Sequence, residues 1–332
     1  MKILLTGGMG FIGSHTAVVL QETGYEVVLY DNLCNASVDV LDKIEKITHK
    51  RPTFIEGDIR DKKTMLEALR GVDVVIHFAG LKAVGESVEK PLEYYDNNVH
   101  GTLVLLDAMR EVGVSRLIFS SSSTVYGTPA TLPLTEECPT GGVTNPYGRT
   151  KLHIEQILSD VCRADPNFSA ICLRYFNPIG AHPSGLIGEN PRGIPNNLLP
   201  YVARVAHGTL PVLKVFGHDY PTVDGTGVRD YIHVMDLAEG HAKAISYVSS
   251  HTGWIAINLG CGHGYSVLEV VHAFEKASGH PVPYELVDRR PGDIAENWCD
   301  PTLAKKLLGW TAKRNIDDMC RDSWHYESQL KA

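Results

Sequence analysis

Apolar and polar residues fall in alternating blocks along the first half of the chain. It opens with an apolar run, Ile3–Thr6, passes through G-G-M-G-F-I-G, and continues in a helical pattern from Ser14 to Gln21. Tyr25–Tyr30 (Y-E-V-V-L-Y) predicts a second strand, Phe54–Ile59 a third, Val72–Phe78 a fourth and Arg116–Ser120 a fifth. Short apolar runs separated by helical stretches read as buried strands of a parallel sheet. Apolar residues also recur at helical spacing within 91–112 and 148–164. After Phe176 the alternation stops, and 177–232 is dense in Pro and Gly, as in N-P-I-G-A-H-P-S-G and E-N-P-R-G-I-P. Loops of that composition tend to carry function on a rigid scaffold. The pattern implies an α/β fold with a doubly wound parallel sheet over 1–174 and a smaller mixed α/β domain over 175–332. The segment 229–258 is expected to return and pack beside the first domain. A single compact α/β unit is the alternative.

The glycines have chemical meaning because of where they stand. Gly7, Gly10 and Gly13 fall between a strand and a helix, with Phe11 and Ile12 between the last two. Glycines there allow a tight turn and let backbone approach a pyrophosphate seated on the helix N-terminus. Three glycines alone would also suit a plain strand–helix turn. The second strand decides the matter, since it ends in Asp31-Asn32, 18 residues beyond Gly13. An acidic residue there bonds the adenosine ribose hydroxyls and repels a 2′-phosphate, which favours NAD over NADP. Asp58-Ile59 and Phe78-Ala79-Gly80 end the next two strands and should line the same crevice. Asp58 taken alone also suits a helix cap. The first domain is thus expected to be Rossmann-type and to bind NAD.

Composition narrows the class. The 332 residues are 43% hydrophobic and 21% charged, with a formal net charge of −8 and no long basic run. That argues against nucleic acid as the main partner. Seven scattered cysteines, with no C-x-x-C, argue against a disulfide framework or a zinc site. The apolar N-terminal run is too short for a signal peptide or a membrane span, so a soluble cytoplasmic protein with no bound metal is expected.

Tyr147 and Lys151 stand four residues apart in P-Y-G-R-T-K, about one helical turn, and so share a helix face. An ammonium beside a phenol favours the phenolate. At roughly 4 Å and an effective dielectric near 20, the attraction of about 4 kcal/mol would bring a phenol from ~10 toward ~7. Tyr147 would then serve as an acid or base. The hexapeptide by itself also fits an ordinary first helical turn. The fifth strand runs into S-S-S-S-T-V-Y-G, which adds Ser122 and Thr124 as hydroxyls able to hold a sugar or alcohol oxygen.

In this order, G-x-x-G-x-x-G, D58-I-R, H77-F-A-G, S-S-S-T-V-Y-G and Y147-x-x-x-K151 resemble the extended short-chain dehydrogenase/reductases. G-L-K-A-V-G-E-S (80–87), K-P-L-E-Y-Y-D-N-N-V (90–99), L-R-Y-F-N-P-I-G-A-H-P-S-G (173–185), G-I-P-N-N-L (193–198) and D-G-T-G-V-R-D-Y-I-H-V-M-D-L-A (224–238) narrow the resemblance to the UDP-glucose 4-epimerase family. The resemblance implies that Tyr147 is the base, with Ser122 and Thr124 near the sugar 4-hydroxyl and Lys151 supporting both. Gly7, Gly10, Phe11, Ile12, Gly13, Asp31, Asn32, Asp58, Ile59, Phe78, Ala79, Gly80, Lys82, Asn97, Ser122, Tyr147, Lys151 and Tyr175 would hold NAD. Phe176, Asn177, Asn197, Leu198, Phe216, Arg229, Arg290, Asp293 and Asn297 would join Lys82, Ser122, Thr124 and Tyr147 around a UDP-hexose. Two arginines suit a diphosphate, because guanidinium forks match phosphate oxygens. The resemblance also implies inversion at C4 through a 4-keto sugar, and a homodimer formed by the helices near 91–112 and 148–164, whose apolar spacing by itself fits packing of one face on the core equally well.

Three rivals are weighed against it. Nucleotide-sugar 4,6-dehydratases carry an Asp-Glu pair after the serine-loop Thr, whereas Thr124 is followed here by Val125-Tyr126. A UDP-glucuronate enzyme would use the same Tyr/Lys pair, and an NAD-sensing regulator would have no need of it. Asn297 stands where some bacterial relatives carry a bulky Tyr, so room for a 2-acetamido group is expected.

Overall fold

The structure is a computed structural model describing residues 1–330 apart from 192, 194, 196, 291 and 292. Ile194 and Asn196 of the 193–198 motif therefore lie outside the described residues. The strands are β1 (Lys2–Thr6), β2 (Glu26–Asp31), β3 (Thr53–Glu56), β4 (Val74–His77), β5 (Arg116–Ser122), β6 (Ser169–Tyr175) and β7 (Asn177–Ile179). There follow β8 (Leu213–Phe216), β9 (Val228–Arg229), β10 (Tyr231–His233), β11 (Gly253–Leu259), β12 (Tyr265–Ser266), β13 (Tyr284–Val287) and β14 (Glu296–Asn297). Seven of them form one sheet in the order β11-β6-β5-β4-β1-β2-β3, parallel throughout.

Side-chain alternation explains why this sheet is covered on both faces. Ile3, Leu5, Val27, Leu29, Val74, Ile76, Ile118, Ile171, Leu173, Ile257 and Leu259 pack into one apolar cluster. Their strand neighbours Leu4, Val28, Tyr30, Val75, Leu117, Phe119, Ala170, Cys172 and Ala256 pack into a second. Each strand thus sends successive residues to opposite cores, which is why the runs read as continuously apolar. The Val234–Ser250 helix packs on the Phe11–Glu22 helix, and β11 then pairs with β6. A third cluster, which includes Leu199, Val202, Val215, Phe274 and Met319, forms the core of the later segments. Among the described residues no helix is long and apolar enough to cross a membrane.

The 91–112 stretch departs from the single helix its periodicity predicts. It runs as Pro91–Tyr94 in α form, Tyr95–His100 with π geometry, and Gly101–Val112 in α form again. The widened turn carries Asn98, whose side chain accepts from Leu81 N (2.8 Å) and donates to Leu81 O (3.0 Å) and Thr150 Oγ1 (3.1 Å). These bonds to a neighbouring loop and helix set the local backbone, as π turns at functional places often reflect.

Candidate active site

At the end of β1 the chain turns at Gly7 with φ +67°, and a Cβ there would stand 2.6 Å from Ala79 N. A Cβ on Gly13 would meet Gly7 O at 2.5 Å and Gly8 Cα at 2.7 Å, whereas one on Gly10 would meet only Gly7 O, at 3.4 Å. The turn therefore closes on glycines and leaves its outer side open. Among the described residues no side chain caps the Phe11–Glu22 helix. Its first backbone bond is Ser14 N to Gly10 O at 2.9 Å, which leaves the N–H groups of Phe11, Ile12 and Gly13 directed out of the helix start. An uncapped helix start beside an open glycine turn fits a pyrophosphate.

Asp31 ends β2 beside this turn. Its carboxylate accepts from Met9 N (3.1 Å) and Leu33 N (2.9 Å); burial raises its pKa and those bonds oppose the rise. Asn32 donates to Asp58 (3.0 Å), and the Arg60 guanidinium holds that carboxyl well below its usual range. The capping alternative for Asp58 does not hold, because Asp61 caps the Lys62–Ala68 helix by accepting from Lys63 N. Ile59 is buried against Gly101, and Phe78 and Ala79 both donate their backbone N–H to Thr6 O. The Phe78 ring lies 4.8 Å from His241, which bonds the Tyr175 hydroxyl at 2.9 Å. Gly80 faces the Asn98 side chain, and Asn97 donates to the same Asn98 oxygen.

The hydroxyl cluster forms where β5 meets the Pro146–Ala164 helix. Asn145 caps that helix by accepting from Gly148 N at 2.8 Å, and Pro146 supplies its first residue. Tyr147 consequently lies against Ser122, whose oxygen also takes Thr124 N at 3.3 Å. Thr124 Oγ1 is buried with no partner among the described residues, a group that awaits a ligand hydroxyl. One turn on, Lys151 is buried, donates to Ser120 O at 2.6 Å, and sits 5.8 Å from the Tyr147 ring centre.

The expected drop of the Tyr147 pKa toward ~7 is corrected here. Burial raises it, and the bond to Ser122 only partly offsets the rise. Lys151 is itself pulled down to about 8 by burial, with Cys172 and Glu155 acting the other way. Its ammonium is engaged with the Ser120 carbonyl rather than the phenol oxygen. The helical spacing is thus as read, but desolvation governs the phenol.

The remaining candidates gather in small groups. Phe176 is buried with Val125, Leu134 and Cys299, and Asn177 donates both N and Nδ2 to Asp230 O at 3.0 Å. Lys82 and Asn197, which precedes Leu198 at the start of a helix, both donate to Glu189 Oε1, at 2.9 and 2.7 Å. Arg229 lies opposite Asn297 in the β9–β14 pair and 3.6 Å from Asp293. Asn297 Oδ1 is buried with no partner among the described residues, and Arg290 stacks 3.8 Å over Phe216. Glu189, Asn98 and Asp230 are partners that sequence reading missed. All three stand within quoted stretches, Asn98 in D-N-N-V, Glu189 at the head of E-N-P-R-G-I-P and Asp230 in V-R-D-Y-I-H, but nothing in their spacing marked them as partners of the site.

The matching family model is described as GDP-mannose 4,6 dehydratase and covers residues 4–323. A UDP-glucose 4-epimerase of Bacillus subtilis is 59% identical over 330 residues, 99% of this chain and 97% of its own. The chain belongs to the UDP-glucose 4-epimerase family. A family member from Bifidobacterium longum, crystallised with NAD+ and UDP, superposes with a TM-score of 0.96 at 56% identity, covering 99% of this chain and 98% of its own. A UDP-Glc/GlcNAc 4-epimerase of Campylobacter jejuni superposes with a TM-score of 0.86 at 36% identity, covering 99% of both chains. The dehydratase description reflects the shared fold. Beyond Thr124 come Val125 and Tyr126, both buried, so no carboxylate follows the serine loop.

Proposed function

We propose that this protein interconverts UDP-galactose and UDP-glucose, in the cytoplasm and with NAD as a resident cofactor. The observation that carries the reading is the meeting of Tyr147, Ser122, an unpartnered Thr124 hydroxyl and a buried Lys151 in a chain of this family. NAD, when bound, supplies reversible hydride acceptance from C4 of the sugar. Tyr147 Oη exchanges the proton of the 4-hydroxyl, and Ser122 and Thr124 hold that oxygen. Lys151 stays charged near neutral pH and favours the phenolate that forms. Gly7–Gly13 and Asp31 would cradle the pyrophosphate and ribose, with Asn32, Asp58, Phe78–Gly80, Lys82, Asn97 and Tyr175 around the rest. Arg229, Arg290 and Asp293, with Asn177, Asn197, Leu198, Phe216 and Asn297, would grip the UDP. Residues 1–174, joined by 229–258, would form the cofactor side and 175–332 the substrate side.

Incubating the purified protein with UDP-galactose and no added nicotinamide tests the reading. A glucose-favouring mixture supports it, and no conversion even with NAD supplied sinks it. Tyr147→Phe should retain NAD binding and lose turnover; unchanged function would point to a sensor. Asn297 supports acceptance of N-acetylated UDP-hexoses, as the name of the Campylobacter relative says of that protein. Two copies are proposed to pair through the helices of 91–112 and 148–164, in the first of which Leu92 is 81% and Leu103 46% exposed.

A further inference from the structure

The face of the Pro146–Ala164 helix that carries Tyr147 and Lys151 continues one turn further to Glu155, which is buried. Its Oε1 accepts from Ser121 Oγ at 2.5 Å and from Arg174 Nε at 3.0 Å, and its Oε2 accepts from Arg174 Nη2 at 2.6 Å. Ser121 and Arg174 lie directly opposite each other in the β5–β6 pair, so one carboxylate clamps the helix to two strands. Arg174 Nη1 donates to the Tyr126 hydroxyl (3.0 Å), which donates to Asn258 Oδ1 on β11 (2.7 Å). Tyr126 belongs to the same 3-10 turn as Thr124.

The network thus joins the three elements that hold the reacting groups. Consecutive residues of β5 receive them: Ser120 O takes Lys151, Ser121 meets Glu155, and Ser122 meets Tyr147. A buried ion pair is weak evidence of stabilisation, because desolvation offsets its attraction, and register is its better-attested use. Among the described residues, the titratable groups that face Lys151 are Tyr147 and Glu155 from its own helix, Cys172 from β6 and His77 from β4, with Arg174 of β6 on the Glu155 carboxylate. Glu155 is the one carboxylate in that set.

We propose that Glu155 is a positioning residue for the reaction: its fork on Arg174 and its bond from Ser121 hold the helix, and with it Tyr147 and Lys151, in register against β5, and it places the one carboxylate of this cluster one turn from the Lys151 ammonium. The role rests on the function proposed above. The test compares the wild-type protein with Ser121→Ala, Glu155→Gln and the double variant Glu155→Gln/Arg174→Met. It measures kcat and KM for UDP-galactose, and NAD affinity by calorimetry, each from pH 6 to pH 10, alongside thermal melting. Ser121→Ala keeps the charge, so kcat should fall with KM little changed and the alkaline limb unmoved. Both Gln-containing variants should lose activity and NAD affinity at a lower pH than the wild type, the single variant by more than the double, which also removes the opposing Arg174 charge. The double variant leaves no unpaired buried guanidinium and carries the test if the single one fails to fold. An alkaline limb that stays put in every folded variant, with kcat tracking only the melting temperature, would overturn the proposal. If the wild-type protein does not epimerise, the functional reading fails by itself, and the pH dependence of NAD affinity still decides the role of Glu155.

Discussion

His77 ends β4 inside the core, with Nδ1 at 2.6 Å from Thr6 Oγ1 and Nε2 at 2.9 Å from Thr102 Oγ1. The Thr102 hydroxyl spends its hydrogen on Asn98 O, so Nε2 carries the ring proton and Nδ1 accepts from Thr6. The neutral ring is fully satisfied. Burial, followed by the Lys151 charge, pulls its pKa down to about 3. In the unfolded chain the same group titrates near ~6.5. Because the folded value lies below the unfolded one, the stabilisation is complete above ~6.5 and is lost as pH falls toward about 3. Between pH 7 and pH 5 the unfolded ring takes up most of a proton while the folded ring takes none, which costs about 2 kcal/mol. The assay is urea unfolding of the wild-type protein and of His77→Gln at pH 7, 6 and 5. The substitution removes hydrogen bonds at every pH, so that loss is a constant offset. The gap in unfolding free energy between the two should shrink by about 2 kcal/mol from pH 7 to pH 5. A gap that does not change with pH would refute the argument, since His77 would then be titrating alike in both states.

Other expected outcomes follow from contacts already described. Gly13→Ala drives a Cβ into Gly7 O and Gly8 Cα; it should cost roughly 1–3 kcal/mol of stability and weaken NAD binding, read by calorimetry and melting. Asn297→Tyr should lower the ratio of UDP-N-acetylgalactosamine to UDP-galactose turnover by roughly tenfold or more, and an unchanged ratio would remove Asn297 from specificity. The pair Leu92→Glu and Leu103→Glu should shift the species seen by light scattering from dimer to monomer, and a persistent dimer would move the interface elsewhere.

What could be read in the sequence follows the range of the forces involved. Strand β1 and the glycine turn were legible because alternation and Gly conformations are local properties. The fifth strand was read as Arg116–Ser120 but extends to Ser122, because Ser121 and Ser122 pair with Arg174 and Tyr175, more than 50 positions away. Polar strand ends of this kind carry no hydrophobic signal. Tyr147 and Lys151 were found by spacing, yet their titration was misjudged, because spacing counts a charge and says nothing about burial. Glu155 was invisible for a related reason. Its partners come from two strands and its meaning from β11, none of which a helical pattern reveals. The π turn at Tyr95–His100 escaped notice because its apolar residues keep near-helical spacing while the bonds of Asn98 reshape the backbone.

The position of β11 in the sheet has a consequence for the order in which this protein can be made. That strand, residues 253–259, covers the far side of β6 and supplies Asn258 to the Tyr126 hydroxyl. The Val234–Ser250 helix just before it closes over the helix that follows the glycine turn. A ribosome that has emitted the first 175 residues has released the glycine turn, Tyr147 and Lys151, but with β6 as a bare edge able to pair with another chain. The nascent chain must therefore wait for roughly its third quarter to emerge before the sheet closes, and a fragment cut near 175 should be recovered as aggregate.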